Sequence, residues 1–456
     1  MSKLAIFGGT PVREKPFRSS VVIDKHEHSL INQVMERKEF SRFMGSPSQD
    51  IDKLMIMPSV KAENYETQYF SFLGGRMVRK FEADFAKKFR VPYAITVNSA
   101  TSGLSSALGA AGIGPGDEVI TTAMSFNATA LSILLFNSIP VFVDVDPANY
   151  CLDHRKVEKA ITKKTKAVLV VHLLGNPAEM DAIIKIAKKH NLIVIEDCAQ
   201  APGTKYKGKY VGTIGDLGVF SFQETKNITT GEGGMVVTKN PLFAKGVRLI
   251  RNHGESIPDA SWDAESLANI VGMNFRMTEL TAALGVAQVA KLDENNRVRT
   301  ENSLFLADSL KNIPGLSVPK YRSGIVPHVF PVIYDRKATG VERQKILLAL
   351  RAEGIPVGSG YLKLMYENPI FLKKIAYGKD RCPWSCHLYN NKREYKSGDC
   401  PTAERLLKEK FIWFYHINRP NTLRDMKDVA KTFKKVFSQM ESLKAAKIEG
   451  AIGYKW

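Results

Sequence analysis

The chain has 456 residues, 44% hydrophobic and 24% charged, the make-up of a globular protein long enough for more than one core. Its formal charge of +19 favours anionic ligands such as a phosphorylated cofactor or substrate. No block of basic residues interleaved with aromatics, and no zinc-finger or basic-zipper spacing, argues for nucleic acid.

The opening MSKLAIFGGTPVREKPF has too short an apolar run for a signal peptide, and ATALSILLF, ending at Phe136, is too short to span a bilayer. A soluble cytoplasmic protein with no membrane contact is therefore expected. Five cysteines, Cys151, Cys198, Cys382, Cys386 and Cys400, are an odd number and read as reduced thiols. Cys382, Cys386, His387 and Cys400 hold one zinc-like spacing but no second compact pair, so no metal is expected.

Residues 1–75 form an N-terminal segment in which Phe40–Phe72 shows little periodicity and reads equally as a substrate-covering flap or a surface excursion. Residues 76–290 alternate apolar strands (AITV, DEVIT, IPVFVDVD, TKAVLVVH, NLIVIEDC, GVFSF, GMVVTK) with helical patterns such as TSGLSSALGAAG and EMDAIIKIAKKHN. That order predicts an α/β domain with a mainly parallel sheet sandwiched by helices. A long helix from Met277 to about Leu310, polar at many positions, is expected to bridge to a smaller C-terminal α+β domain within residues 291–444. There HVFPVIYD and IPVGSGY read as strands, VERQKILLALRAEG as a helix, and a last helix follows Arg424. Residues 445–456 lack a period and read as a loose tail.

Ligands of an open α/β sheet bind beyond the carboxyl ends of its strands. Asp197 ends the run LIVIED and is placed to keep a pyridine nitrogen protonated, with Gln200 three residues on able to reach a phenolic ring oxygen. VNSATSGL leaves a strand and opens a helix, so Ser99, Ala100 and Thr101 present N–H groups and a hydroxyl to a phosphate at the positive helix end. Ser221 is near enough to add another hydroxyl, and Phe126 is a candidate to stack on a cofactor ring.

Lys226, in FSFQETKNITTGEGG, is surrounded by small, polar and glycine residues that permit close approach of a carbonyl and its capture as a Schiff base. Lysine and aspartate together are the protein groups that pyridoxal 5'-phosphate (PLP) chemistry requires.

The segments NSATSGL, GPGDEVI, PVFVDVD, HLLGNPAEMD, IEDCAQAPGT, GDLGVFSFQETKNITTGEGG, RNHG and GMNFRMTELTAALG, in this order, resemble the DegT-type family of sugar aminotransferases, which are fold-type I PLP enzymes. The likeness runs strongly from about Arg76 to Val289 and weakly through GGTPVR, GYLKLMY and CPTAERL. It implies a homodimer with active sites at the subunit interface, Lys226 as the cofactor's covalent anchor, Asp197 on the pyridine nitrogen and Gln200 on the ring oxygen.

By the same resemblance Phe126 stacks on the ring, and Ala100, Thr101 and Ser221 cradle the phosphate. Asn274 reaches the phosphate across the interface, while Arg276 and His172 are supporting candidates. The family often has His-Pro where this chain has Gln223 and Glu224, and commonly glycine where Ala100 stands. Relatives with histidine in place of the lysine are dehydratases, which Lys226 argues against.

The function expected is amino transfer from glutamate or glutamine to a nucleotide-linked keto-sugar by a ping-pong sequence. The alternatives are a cyclitol or related cyclic ketone as acceptor, or a catalytically silent regulatory relative.

Overall fold

The computed structural model describes residues 3–43, 51–64, 72–254 and 270–448. Seven strands make the central sheet: β1 (Tyr93–Val97), β2 (Glu118–Thr122), β3 (Ile139–Val143), β4 (Thr165–Val171), β5 (Ile193–Asp197), β6 (Leu217–Ser221) and β7 (Gly234–Thr238). Their order is β1-β7-β6-β5-β4-β2-β3. The five from β6 to β3 pair in parallel, and β7 runs antiparallel between β6 and β1. Nearly every residue of these strands is buried, which accounts for their unbroken Val/Ile/Leu runs and for a sheet flanked by helices.

Those helices include α1 (Arg76–Phe89), α2 (Ala100–Ala110), α3 (Ala128–Leu135), α4 (Met180–His190) and α5 (Pro241–Arg251). The α/β architecture matches the expectation from sequence.

Helix α6 (Glu279–Leu310) starts where the Thr278 hydroxyl accepts the Thr281 N–H, and its 32 residues run roughly 48 Å. Ala282 to Leu292 belong to the core under the large sheet, and Leu306 and Leu310 to a second core. The polar residues between them are buried stitches. Asn295 donates to the Asn227 carbonyl, Asn296 to that of Pro202, Arg299 to that of His328 and Asn302 to that of Ile417. The polar run in the sequence is therefore an internal seam.

The second core is covered by a four-stranded antiparallel sheet of β8 (Leu316–Ser317), β9 (Phe330–Tyr334), β10 (Val357–Gly358) and β11 (Phe411–Phe414), in the order β8-β9-β11-β10. Helices α7 (Arg343–Ala352) and α8 (Leu423–Phe437) complete it. The chain's beginning packs here too: Leu4 is fully buried, and the Ala5 and Val12 N–H groups donate to Glu353.

Residues 364–407 pack instead against the large core through Tyr366, Phe371, Trp384 and Tyr389. Glu118 of β2 fixes this excursion, accepting from Tyr389 at 2.7 Å and from Arg393 at 2.9 Å. Of Phe40–Phe72, the described part holds two short helices, Ile51–Met55 and Ser59–Ala62. Arg248 binds the carbonyls of Leu54, Met55 and Met57, which ties that part to α5. The remainder of the suggested flap and the tail from residue 449 lie outside the described residues.

Among the described residues no helix is long and apolar enough to cross a membrane. The five cysteines are unpaired. Within that same set, the one cluster at metal-ligating distance is His172, Glu196 and Cys198, not the Cys382–Cys400 group.

Candidate active site

Two acids end β5, and adjacent residues of a strand point to opposite faces. Glu196 accepts from the N–H groups of Gly212, Ile214 and Gly215 at 2.6–2.8 Å and from His172 Nε2 at 2.9 Å. His172 Nδ1 accepts the Ala178 N–H at 3.1 Å, which assigns the ring proton to Nε2 as the donor to Glu196. Burial works against the Glu196 carboxylate, yet these donors hold its pKa below the ordinary value.

Asp197, 4% exposed, accepts among the described residues from Thr129 Oγ1 at 2.9 Å and the Ala199 N–H at 3.1 Å. Thr129 is in turn held by Ser125 at 2.9 Å. Here burial wins, and the Asp197 pKa is raised although the Ala199 and Thr129 hydrogen bonds and the Lys226 charge pull it down. The His172 N–H also donates to the Asp197 carbonyl at 3.0 Å.

Lys226 sits on the loop between β6 and β7. The loop is closed by the Phe222 and Thr230 N–H groups, which donate to the carbonyls of Gly233 and Phe222 respectively, each at 2.9 Å. Gly231 takes a φ of 80°, which explains its residue type. A side chain at Gly234 would stand 2.6–2.8 Å from backbone atoms of Ser99 and Ala100, so this glycine lets β7 meet the start of α2. Gln223 turns back on its own loop, its Oε1 accepting from the Thr225 N–H and hydroxyl.

Burial lowers the Lys226 amine to about 8; Asp197 opposes this and Arg299 adds to it. The charges of Lys226 and Asp197 each favour the ionised form of the other.

Ser99 caps α2, its hydroxyl accepting the Ser102 N–H, and the N–H groups of Ala100 and Thr101 have no partner within the helix. Ser221, the last residue of β6 before the lysine loop, is buried. Phe126, between β2 and α3, leaves 66% of its surface exposed, a large apolar ring without a protein cover.

Gln200 accepts the Leu174 N–H through Oε1 and donates from Nε2 to the Tyr361 hydroxyl at 2.7 Å, leaving one amide hydrogen. Asn274 lies beside the end of β1, its carbonyl accepting from Asn98 and its Oδ1 accepting from Arg276 Nε at 3.0 Å. Arg276 also contacts Asn252 and His253.

Sequence reasoning passed over Thr129, Glu196, Asn227, Arg299, His328 and Tyr361. Glu196 had a signal, an acid inside an apolar strand. Thr129 and Tyr361 had none, because only the fold brings them to Asp197 and Gln200.

A buried, under-bonded aspartate, a lysine of depressed pKa, an open helix N-terminus and an uncovered aromatic ring fit a phosphorylated pyridine aldehyde. The fold and this site define a PLP-dependent aminotransferase of fold type I. The profile of the DegT/DnrJ/EryC1/StrS aminotransferase family matches residues 61–394, and the chain belongs to that family.

It is 30% identical over 449 residues to a putative L-glutamine:3-amino-2,3-dideoxy-scyllo-inosose aminotransferase of Streptoalloteichus tenebrarius, covering 97% of this chain and 100% of that protein. It is 39% identical over 295 residues to the GDP-perosamine synthase of Caulobacter vibrioides, covering 64% and 78%. Among solved structures, DesI in the presence of its TDP-sugar product is similar, with a TM-score of 0.76, 25% identity and coverage of 97% and 98%.

Proposed function

We propose that this enzyme moves an amino group from glutamate or glutamine to a nucleotide-linked keto-sugar in amino-sugar biosynthesis. The observation that carries the reading is the mutual electrostatic reach of Lys226 and Asp197 at the carboxyl end of β5. The GDP-perosamine synthase and DesI likenesses support the acceptor class.

In this reading Asp197 holds the proton at the pyridine nitrogen, and a cationic ring nitrogen is the partner its carboxylate lacks. Lys226 anchors the cofactor and then moves the proton at the substrate's α-carbon. When bound, PLP supplies the electron sink for that carbanion. Ala100, Thr101 and Ser221 would hold the phosphate, Phe126 would lie against the ring, and the remaining Gln200 amide hydrogen would donate to the ring oxygen.

The working form is a homodimer, with Asn274 completing the partner's phosphate site. Exposed Ile270, Val271 and Met273 beside Asn274 support an interface there. Light-scattering mass is expected to report a dimer, and a monomer with full activity would remove Asn274 from this role.

The test is direct. The visible absorbance of the PLP-loaded protein should be lost on adding glutamate or glutamine and return with a nucleotide-linked keto-sugar. Absence of any response to either amino acid would defeat the reading. A cyclitol ketone is the second acceptor reading, favoured because the scyllo-inosose aminotransferase match spans nearly the whole of both chains. Parallel panels of keto-sugars and cyclic ketones decide between them.

A further inference from the structure

Gln200 is held from two sides. Its Oε1 accepts the N–H of Leu174, a buried residue turned into the left-handed region with φ 59° and ψ 15°. That conformation is unfavourable for leucine, so the surrounding structure imposes it. On the other side Gln200 Nε2 donates to the Tyr361 hydroxyl at 2.7 Å.

Tyr361 is fixed in its turn. Its ring stands edge-on to Trp413 of β11, with centroids 5.3 Å apart and planes at 77°. Gly360 takes a φ of 91°, and a side chain there would lie 3.0–3.1 Å from the Trp413 ring. The turn and the close approach both require glycine immediately before the tyrosine.

The same segment then crosses to the large core. The Met365 N–H donates to the Ala123 carbonyl at 3.0 Å, and Asn368 Nδ2 donates to Asn127 Oδ1 at 3.1 Å. Phe126 lies between those two anchors in the chain. Residues 361–368 thus leave β10 of the small sheet and tie down both Gln200 and the loop that carries Phe126.

A glutamine side chain can turn either its oxygen or its NH2 toward a neighbour, and only the NH2 suits a ring oxygen that carries negative charge. The Leu174 N–H can only donate, which assigns the amide oxygen to its side. With one amide hydrogen on Tyr361, the second has a single direction left in the amide plane.

We infer that Tyr361 is a positioning residue for the cofactor: its hydroxyl fixes the Gln200 amide so that the remaining N–H meets the ring oxygen. The inference rests on the reading of Gln200 as the group at that oxygen.

The experiment is a pH titration of the visible absorbance of PLP-loaded wild type, Tyr361→Phe, Gln200→Leu and the double variant. A donor at the ring oxygen stabilises its negative charge, so loss of the donor raises the pH midpoint. Gln200→Leu should raise it by about one unit and Tyr361→Phe by about half a unit. The double variant should match Gln200→Leu, because a hydroxyl that acts through the amide has nothing to act on once the amide is gone. Tyr361→Phe keeps the ring against Trp413, and its cofactor-free form should melt as wild type does. An unmoved midpoint in Tyr361→Phe overturns the assignment. So does an additive shift in the double variant, which would show the hydroxyl touching the cofactor itself. If Gln200→Leu leaves the midpoint unmoved, the reading of Gln200 fails and the role of Tyr361 falls with it.

Retention of PLP on equilibrium dialysis gives a second measure. Tyr361→Phe should weaken it about 5-fold in the wild-type background and not at all beside Gln200→Leu. A merely structural tyrosine would weaken retention in both backgrounds alike, and that result also overturns the assignment.

Discussion

Glu196 and Asp197 are neighbours on one strand, both acids and both buried, yet they have opposite fates. Glu196 collects four donors and is an ordinary low-pKa carboxylate sealed in protein. Asp197 collects two, and burial leaves its pKa raised. A buried charge that the protein satisfies by itself is architecture, and one left short of partners is a place for a ligand.

The largest effect is expected where the ligand-facing side of this contrast is removed altogether. Lys226→Ala should lower turnover by about 1,000-fold or more, since both the anchor and the proton carrier are lost. Steady-state rates and loss of the visible absorbance of the loaded enzyme measure it. Retention of even a tenth of the activity would move the chemistry to another residue.

The two acids themselves supply the sharper comparison. Glu196→Gln sets an amide NH2 against backbone donors and should cost about 3 kcal/mol of stability, while turnover per folded molecule stays within a few-fold. Asp197→Asn should do the reverse, lowering turnover about 100-fold with the fold intact. Their pH behaviour has opposite sign. Glu196, with a lowered pKa, stabilises the fold above its unfolded-state pKa, and this is lost as pH falls through the folded value. Asp197, with a raised pKa, contributes stability in acid that is lost as pH rises through its folded value. Cofactor-free Asp197→Asn should therefore melt no lower than wild type at neutral pH, with the difference vanishing in acid. Thermal melts at several pH values settle this, and parallel curves for the two variants would refute the distinction.

A smaller and graded effect is expected for cofactor capture. Only the unprotonated amine of Lys226 attacks an aldehyde, so the rate at which the visible absorbance appears should climb with pH and level off above about 8. Asp197 favours the ammonium form, so Asp197→Asn should move that plateau to lower pH. A plateau near the value of an ordinary lysine would show that the amine is not held in a buried site.

Most of the ligand-facing half of the contrast was legible in sequence. Lys226, Asp197, Ser221 and the start of α2 are linked by strand ends and a glycine loop, both local patterns. The glycines carried specific information, because Gly231 needs a positive φ and Gly234 a bare approach to Ser99. What supports the site was not legible, since it depends on contacts distant along the chain. Thr129 meets Asp197 across 68 positions, and Tyr361 meets Gln200 across 161. The polar residues of α6 pointed to a bridge, but a sequence does not distinguish a wet polar face from an internal seam. Residues 364–407 likewise had no pattern tying them to Glu118 and the large core.

Thr129 offers the finest test of the comparison. Its hydroxyl is one of the two donors to Asp197 among the described residues and is itself oriented by Ser125. Thr129→Val keeps the shape of a buried, β-branched side chain but withdraws the hydrogen bond. Asp197 should then hold its proton still more tightly, be less able to keep a pyridine nitrogen cationic, and cut turnover by about 10-fold, the worth of one charged hydrogen bond. The loss should appear in kcat with donor KM little changed, because Thr129 acts through the acid. Ser125→Ala, one bond further out, should produce a smaller loss in the same parameter. If Thr129→Val raised KM and left kcat intact, the hydroxyl would be shaping a substrate wall, and the shortage of donors at Asp197 would not be what tunes the site.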